Sequence, residues 1–228
     1  MRKFAISDIH GCCETFRALL RQIELSKEDE LYLLGDFIDR GPLSKQVFDH
    51  IRNLQEEGYS VSCLRGNHEQ LMLDSKIDGQ YLRAWLINGG VQTLESFGVQ
   101  HTLNVPTSYL EMMAQLPFYL EVDRYILVHA GLDFNVKPLE NKQAMLWIRG
   151  WYEQIDRDWL GDRIVVHGHT PVPREFIEAQ LSALEQQPVL NIDSGCYRYQ
   201  DPLRGHLCAF EMTEQKLYFH PNIDRMTI

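Results

Sequence analysis

Five short polar clusters in this 228-residue chain carry the side chains that could do chemistry. They are Asp8-Ile9-His10, the pair Asp36 and Asp39, Asn67-His68-Glu69, His129, and His169. Carboxylate, imidazole and amide donors mixed in this way suit borderline divalent ions such as Mn²⁺, Fe²⁺ or Zn²⁺ better than Ca²⁺ or Mg²⁺. Asp8 and His10 stand two residues apart, so in an extended chain both side chains can face one ion. Together the clusters exceed the needs of one ion and fit two, provided one carboxylate bridges. That is the donor set of a two-metal hydrolytic site.

Taken singly, each residue has an ordinary explanation. An Asp at a strand end usually caps a helix or forms a turn. A lone His on a strand is more often surface or satisfied core, and Arg40 or Arg65 alone would read as a surface ion pair. The set reads differently, because every cluster follows an apolar strand. His50, His101, His206 and His220 keep the ordinary explanation, as do the five cysteines, Cys12, Cys13, Cys63, Cys196 and Cys208.

The elements that must hold these residues follow from hydrophobic spacing. Phe4-Ala5-Ile6-Ser7 is a short apolar strand, and Phe16, Leu19, Leu20 and Ile23 fall at helical spacing. Leu31 to Leu34 form a second strand, closed by Gly35-Asp36; Gly41-Pro42 opens a helix with Val47, Ile51 and Leu54 as its stripe. Tyr59 to Leu64 read as a third strand, stopped by Arg65-Gly66-Asn67. This β-α-β-α-β opening predicts a parallel sheet with right-handed crossovers. Ligands bind at the carboxyl ends of such strands. Residues 70–117 read as a mostly helical insert, broken at Asn88-Gly89-Gly90 and at Gly98. Strands are expected at 118–122 and 125–128, a helix over about 142–160, then strands at 164–166, 188–192, 206–211 and 215–219. No repeat or flexible linker divides the chain, so one domain over 1–228 is expected.

Five blocks resemble the signature of calcineurin-like metallophosphoesterases. They are Ser7-Asp8-Ile9-His10-Gly11, Gly35-Asp36-Phe37-Ile38-Asp39-Arg40-Gly41, Arg65-Gly66-Asn67-His68-Glu69, Val128-His129-Ala130-Gly131 and His167-Gly168-His169-Thr170. Arg40-Gly41 and Glu69 narrow the resemblance to the phosphoprotein phosphatase branch, and within it to bacterial and phage serine/threonine phosphatases. Trp85-Leu86-Ile87-Asn88-Gly89-Gly90 and Leu146-Trp147-Ile148-Arg149 are similar to that subgroup too. The resemblance implies an α/β fold, a layered sandwich of two packed mixed β-sheets flanked by helices. It implies two divalent ions, Mn²⁺ first, with Fe or Zn as alternatives. Asp8, His10 and Asp36 would hold one ion; Asp36 as the bridge, Asn67, His129 and His169 would hold the other. His68 would be the general acid, oriented by Asp39, while Arg40, Arg65 and Arg149 would grip the phosphate. The wider superfamily's Gly-His-x-His block is here Gly168-His169-Thr170-Pro171, so its second His is absent and water is expected in its place. His167 is expected to support the site or to be ordinary, and not to bind metal.

The activity so implied is hydrolysis of phosphoserine and phosphothreonine. The alternative is a symmetrical diadenosine tetraphosphate hydrolase, or another nucleotide phosphoesterase on the same site. A catalytically dead module would have lost ligands, and here every block is filled. No cysteine is followed by Arg six positions on, and no GxxxxGK[ST] phosphate loop occurs. Lys and Arg number 22 against 32 Asp and Glu, a net −10, which argues against nucleic acid or an anionic membrane as partner. A phosphorylated protein or small phosphoester remains open if positive charge is supplied locally; two divalent ions would do so. Phe4-Ala5-Ile6 is too short for a signal peptide core, and sparse, odd-numbered cysteines suit a reducing cytoplasm. Oligomeric state is open.

Overall fold

A computed structural model describes residues 1–224. The chain begins β1 (Lys3–Ile6), α1 (Cys13–Gln22), β2 (Glu30–Leu33), α2 (Ser44–Glu56) and β3 (Ser60–Cys63). The insert holds α3 (Asn67–Asp74), α4 (Gly79–Trp85), α5 (Val91–Phe97) and α6 (Thr107–Gln115). Then come β4 (Tyr119–Val122), β5 (Tyr125–Val128), α7 (Lys142–Trp147), α8 (Arg157–Leu160), β6 (Ile164–His167), α9 (Arg174–Ser182) and β7 (Val189–Asn191). The hairpin β8 (His206–Glu211) and β9 (Lys216–Pro221) follows.

Two mixed sheets result. One has the order β3-β2-β1-β8-β9, with β1, β2 and β3 parallel and β8 antiparallel to both β1 and β9. The other has the order β4-β5-β6-β7, antiparallel only between β4 and β5. Alternation along β1 shows how they stack. Phe4 and Ile6 face the helices, packing in one cluster with Phe16, Leu19, Val47 and Ile51. Ala5 faces the other way, into a core shared with Leu127, Val166 and Leu190 of the second sheet. The far face of that sheet, Ile126, Val128, Val165 and Val189, packs on Met145, Trp151 and Leu160. Each fully buried side chain of this size contributes about 1.5–3 kcal/mol relative to exposure.

One expected element is modified. The helix expected over about 142–160 is interrupted between α7 and α8: Ile148 is extended (ψ 144°) and Gly150 is left-handed (φ 64°). The interruption lets Trp151 turn inward and donate its indole N–H to Ala130 O at 3.2 Å. Gly131 is required beneath it, because a Cβ there would overlap the indole. The break expected at Asn88-Gly89-Gly90 lies between α4 and α5, where the backbone leaves helical geometry at Gly89 (φ 108°). That kink brings Gly89 O within 3.3 Å of the Arg40 N–H, which donates to it. The sequence assigns nothing to α9, whose single buried residue, Ile177, makes too weak a stripe.

The chain's last described residues close the first sheet and reach α1. Cys12 gives that helix no side-chain cap. Asp224 supplies it from more than 200 residues away, accepting from Glu14 N–H at 2.9 Å, Thr15 N–H at 2.7 Å and the Thr15 hydroxyl at 2.7 Å. Among the described residues, no helix is long and apolar enough to cross a membrane.

Candidate metal centre

Every ligand-bearing loop leaves the carboxyl end of a parallel strand: Asp8 and His10 after β1, Asp36 and Asp39 after β2, Asn67 and His68 after β3, His129 after β5, His169 after β6. The loops turn sharply. Among the described residues nine non-glycines have positive φ, and six of them are Asp8, His10, Asp36, Asp39, Arg40 and His169, between 47° and 71°. Such backbone costs about 1–3 kcal/mol per residue and is held only where surroundings over-determine it. Gly168 belongs to the same packing, since a Cβ there would meet Ser7 Oγ and the Asp8 carboxylate.

Asp36 lies at the middle. Its Oδ2 is 3.5 Å from His10 Nε2 and 3.9 Å from His68 Nε2, and its Oδ1 is 3.4 Å from His129 Nε2. Donor atoms of His10, Asp36 and His68 lie within 4.8 Å of one another, and so do those of Asp36, His129 and His169. Asn67 Oδ1 is 2.8 Å from both His129 Nε2 and His169 Nδ1. His129 Nδ1–H donates to Leu34 O and His10 Nδ1–H to Ile38 O, each at 2.9 Å, which turns both Nε2 lone pairs inward. His129 Nε2 therefore faces Asn67 Oδ1 and Asp36 Oδ1 as acceptor against acceptor. His169 Nε2 is buried with no protein partner. On the Asn67 and His129 side, convergent lone pairs with no hydrogen between them fit a cation, and Asp36, shared with the His10 group, fits a second.

Electrostatics agree. Burial opposes the charge of Asp36, yet the protonated forms that His129, His68 and His10 take in acid, with the His68 backbone N–H, hold its carboxyl well below the usual range. Burial pushes His10 and His129 down, and His169 down to about 3, leaving neutral imidazoles of the kind that metal binding requires. Asp8 stands beside these two groups. Its carboxylate takes the Ser7 hydroxyl and the His169 N–H, the latter at 3.0 Å. Burial, then Asp193 and Asp36, push it well up.

His68 Nδ1 meets Asp39 Oδ2 at 2.6 Å. Burial opposes a charged His68, but Asp36 and Asp39 outweigh it and raise its pKa. Asp39 is itself fixed by the insert: Trp85 Nε1–H donates to both its oxygens at 3.0–3.1 Å, and the Thr93 hydroxyl donates to Oδ1 at 2.6 Å. Glu69 accepts backbone N–H bonds from Asp36, Phe37 and Gly66, each at 2.9 Å, and so joins the loops after β2 and β3. Trp85 stands in a block the sequence singles out, but nothing there assigns it, Thr93 or Glu69 these roles.

The arginines divide. Arg40 Nη1 donates to His10 Nε2 at 2.7 Å, and the guanidinium lies 4.3 Å over the Tyr197 ring. Arg149 is exposed, and its charge is among those that lower His169. Arg65 is not brought in, contrary to expectation. Its guanidinium donates to Gln70 Oε1 at 2.9 Å and to Ala114 O, and covers Phe118. Ala114 lies in the last turn of α6, where helix carbonyls lack internal partners and capture the cation. His167 points away from the ligands: Tyr152 donates to its Nε2 at 2.7 Å, its Nδ1–H reaches Gly168 O, and burial lowers its pKa to about 4.

Comparison with known proteins agrees with this geometry. Over 188 residues the chain is 28% identical to serine/threonine-protein phosphatase 1 of Salmonella typhimurium, covering 76% of this chain and 80% of that one. It is 25% identical to an asymmetrical bis(5'-nucleosyl)-tetraphosphatase, PrpE, of Anoxybacillus flavithermus, covering 95% and 93%. A solved serine/threonine phosphatase from Saccharomyces cerevisiae superposes with a TM-score of 0.67 at 14% identity, covering 100% of this chain and 82% of that one. The family model of calcineurin-like phosphoesterases matches residues 1–206. The chain belongs to that family and is a metallophosphoesterase.

Proposed function

We propose that the chain is a dinuclear, metal-dependent phosphomonoesterase acting on phosphoserine and phosphothreonine. The observation that carries this reading is the pair of donor groups sharing Asp36, with the His68–Asp39 pair against the same carboxylate. Asp8, His10 and Asp36 would hold one divalent ion, and Asp36, Asn67, His129 and His169 the other; Mn²⁺ suits this donor set. Bound ions neutralise phosphate charge and acidify water. The chain's own residues do the rest. Asp39 keeps the Nδ1 hydrogen on His68 and favours its protonated form, so Nε2 carries a proton for the departing oxygen. Arg40, which donates to His10, and Arg149, whose charge acts on His169, would together form a guanidinium clamp for equatorial phosphate oxygens. All five cysteines are free thiols, in keeping with a reducing cytoplasm.

The Salmonella relative's name supports a protein substrate. A second reading, hydrolysis of a dinucleoside tetraphosphate, is favoured by the PrpE relative, which matches nearly the whole chain. With Mn²⁺ added, kcat/KM is compared for phosphoserine and phosphothreonine peptides, diadenosine tetraphosphate and an aryl phosphate. Highest efficiency on phosphopeptide is expected. Tenfold preference for the dinucleotide would assign the second reading, and no hydrolysis of any would overturn both.

A further inference from the structure

One buried carboxylate beside the metal centre has no assigned part in it. Asp193 follows β7, the sixth parallel strand to end at this place, and is 1% exposed. Its Oδ1 accepts the Gly195 N–H at 2.8 Å, while its Oδ2 is buried with no hydrogen-bond partner among the described residues. A carboxyl oxygen shut away from water with no polar partner is costly, and native structures seldom keep one without use.

Its surroundings show what use that is. Asp193 O accepts the Val172 N–H at 3.0 Å, which ties its loop to the Gly168–Val172 segment, and Gly168 there packs on Asp8. Four residues on, Tyr197 lies edge-on to the His10 ring at 5.0 Å and beneath Arg40. Asp193 therefore stands on the Asp8–His10 side of the centre. The charges around it are the carboxylates of Asp8 and Asp36 and the guanidiniums of Arg40 and Arg198. No hydrogen bond joins it to Asp8, so the two do not share a proton as a carboxyl pair would. Three buried carboxylates in one place repel one another unless cations lie among them. The Gly168-His169-Thr170-Pro171 block also lacks a second imidazole, so on this side the ion has fewer protein ligands than on the other.

On the dinuclear reading above, we propose that Asp193 is a positioning residue for the ion held by Asp8, His10 and Asp36, its free Oδ2 anchoring that ion through a water ligand. Outer partners of this kind orient a site, and their removal typically weakens metal binding roughly 10- to 100-fold. The ion held by Asn67, His129 and His169 lies on the other side of Asp36 and does not depend on Asp193.

The test is calorimetric titration of the metal-free full chain with Mn²⁺, alongside electron paramagnetic resonance of the loaded protein. Wild type is expected to bind two equivalents and to show a spin-coupled pair. Asp193→Asn keeps an oxygen for the Gly195 N–H. It is expected to weaken one equivalent at least tenfold, hold the other within twofold, and give an uncoupled Mn²⁺ spectrum at one equivalent. Asp193→Ser, which also keeps an oxygen, is read the same way if the Asn variant does not fold. Both equivalents bound with wild-type constants and coupling would overturn the role of Asp193. Equal weakening of both would overturn it too, since that is the mark of general loosening. A wild type that binds fewer than two equivalents would instead overturn the dinuclear reading itself.

Discussion

Asp39 receives His68 Nδ1 at 2.6 Å on one of its oxygens and the Thr93 hydroxyl at 2.6 Å on the other, while the Trp85 indole N–H spans both. Helices α4 and α5 thus reach into the centre without offering a ligand. They fix the carboxylate that fixes the imidazole.

His68→Asn is expected to lower kcat by about 10²- to 10⁴-fold, the range for loss of a positioned acid. The loss should be larger for an alkyl phosphate than for an aryl phosphate, whose departing oxygen needs less protonation. Bound Mn²⁺ should stay at two equivalents. Equal loss on both substrates would remove the proton-donor role.

Asp39→Asn and Thr93→Val separate charge from support. Burial lowers the His68 pKa, and Asp36 and Asp39 raise it above that cost. Removing the Asp39 charge therefore lowers it, and the alkaline limb of the kcat/KM profile should move to lower pH. Thr93→Val leaves the Asp39 charge in place, so it should lower kcat through lost support without moving that limb to lower pH. A limb that stays in place in Asp39→Asn would show that His68 does not set it.

Glu69→Gln tests the join between the two central loops. Burial and then Asp36 push the Glu69 carboxyl up to about 7, against three backbone N–H groups that favour its charge. The amide replaces one accepting oxygen with a donor facing N–H groups. We expect a loss of about 1–3 kcal/mol in denaturant unfolding, together with weaker Mn²⁺ binding because Asp36 shares the joined segment.

His167 gives a stability signature in acid. Its folded pKa is about 4, against about 6.5 when unfolded, so between these values the unfolded chain holds the extra proton. The contribution is complete above pH 6.5 and falls away as pH drops towards 4, by up to about 3 kcal/mol. His167→Gln should flatten the midpoint of urea unfolding across that window. An unchanged slope would place the titration elsewhere.

Asp224→Ala should cost about 1 kcal/mol, the usual value of an N-cap, and lower the Tm by about 2–4 °C. Unchanged melting would show that α1 needs no cap from the terminal hairpin.

The sequence made the donors visible because two signals coincide in it: an apolar run short enough to be a strand, then residues too polar for a core. Asp8, Asp36, Asn67, His129 and His169 all stand out this way, and the parallel opening sheet follows from the same runs, whereas the layering of two sheets was implied only by the family resemblance. The supporting contacts have no such mark. Trp85 and Thr93 reach Asp39 from 46 and 54 residues away, and Asp224 reaches Thr15 from 209, separations at which no periodicity operates. Asp193 looks like any turn residue until its unpartnered oxygen is seen. Arg65 misled for the converse reason: its motif position was right, and its rotamer is set by Gln70 and Ala114, which the motif does not contain.

The six left-handed residues of the centre set two selective demands against each other. Glycine or asparagine would occupy Asp8, His10, Asp36, Asp39, Arg40 or His169 with less backbone cost. A library selected for thermal survival alone, without metal or substrate, should therefore accumulate those two residues at these positions. Reaction holds the expensive residues in place, and relaxed selection would erase the centre before it touched the sheets.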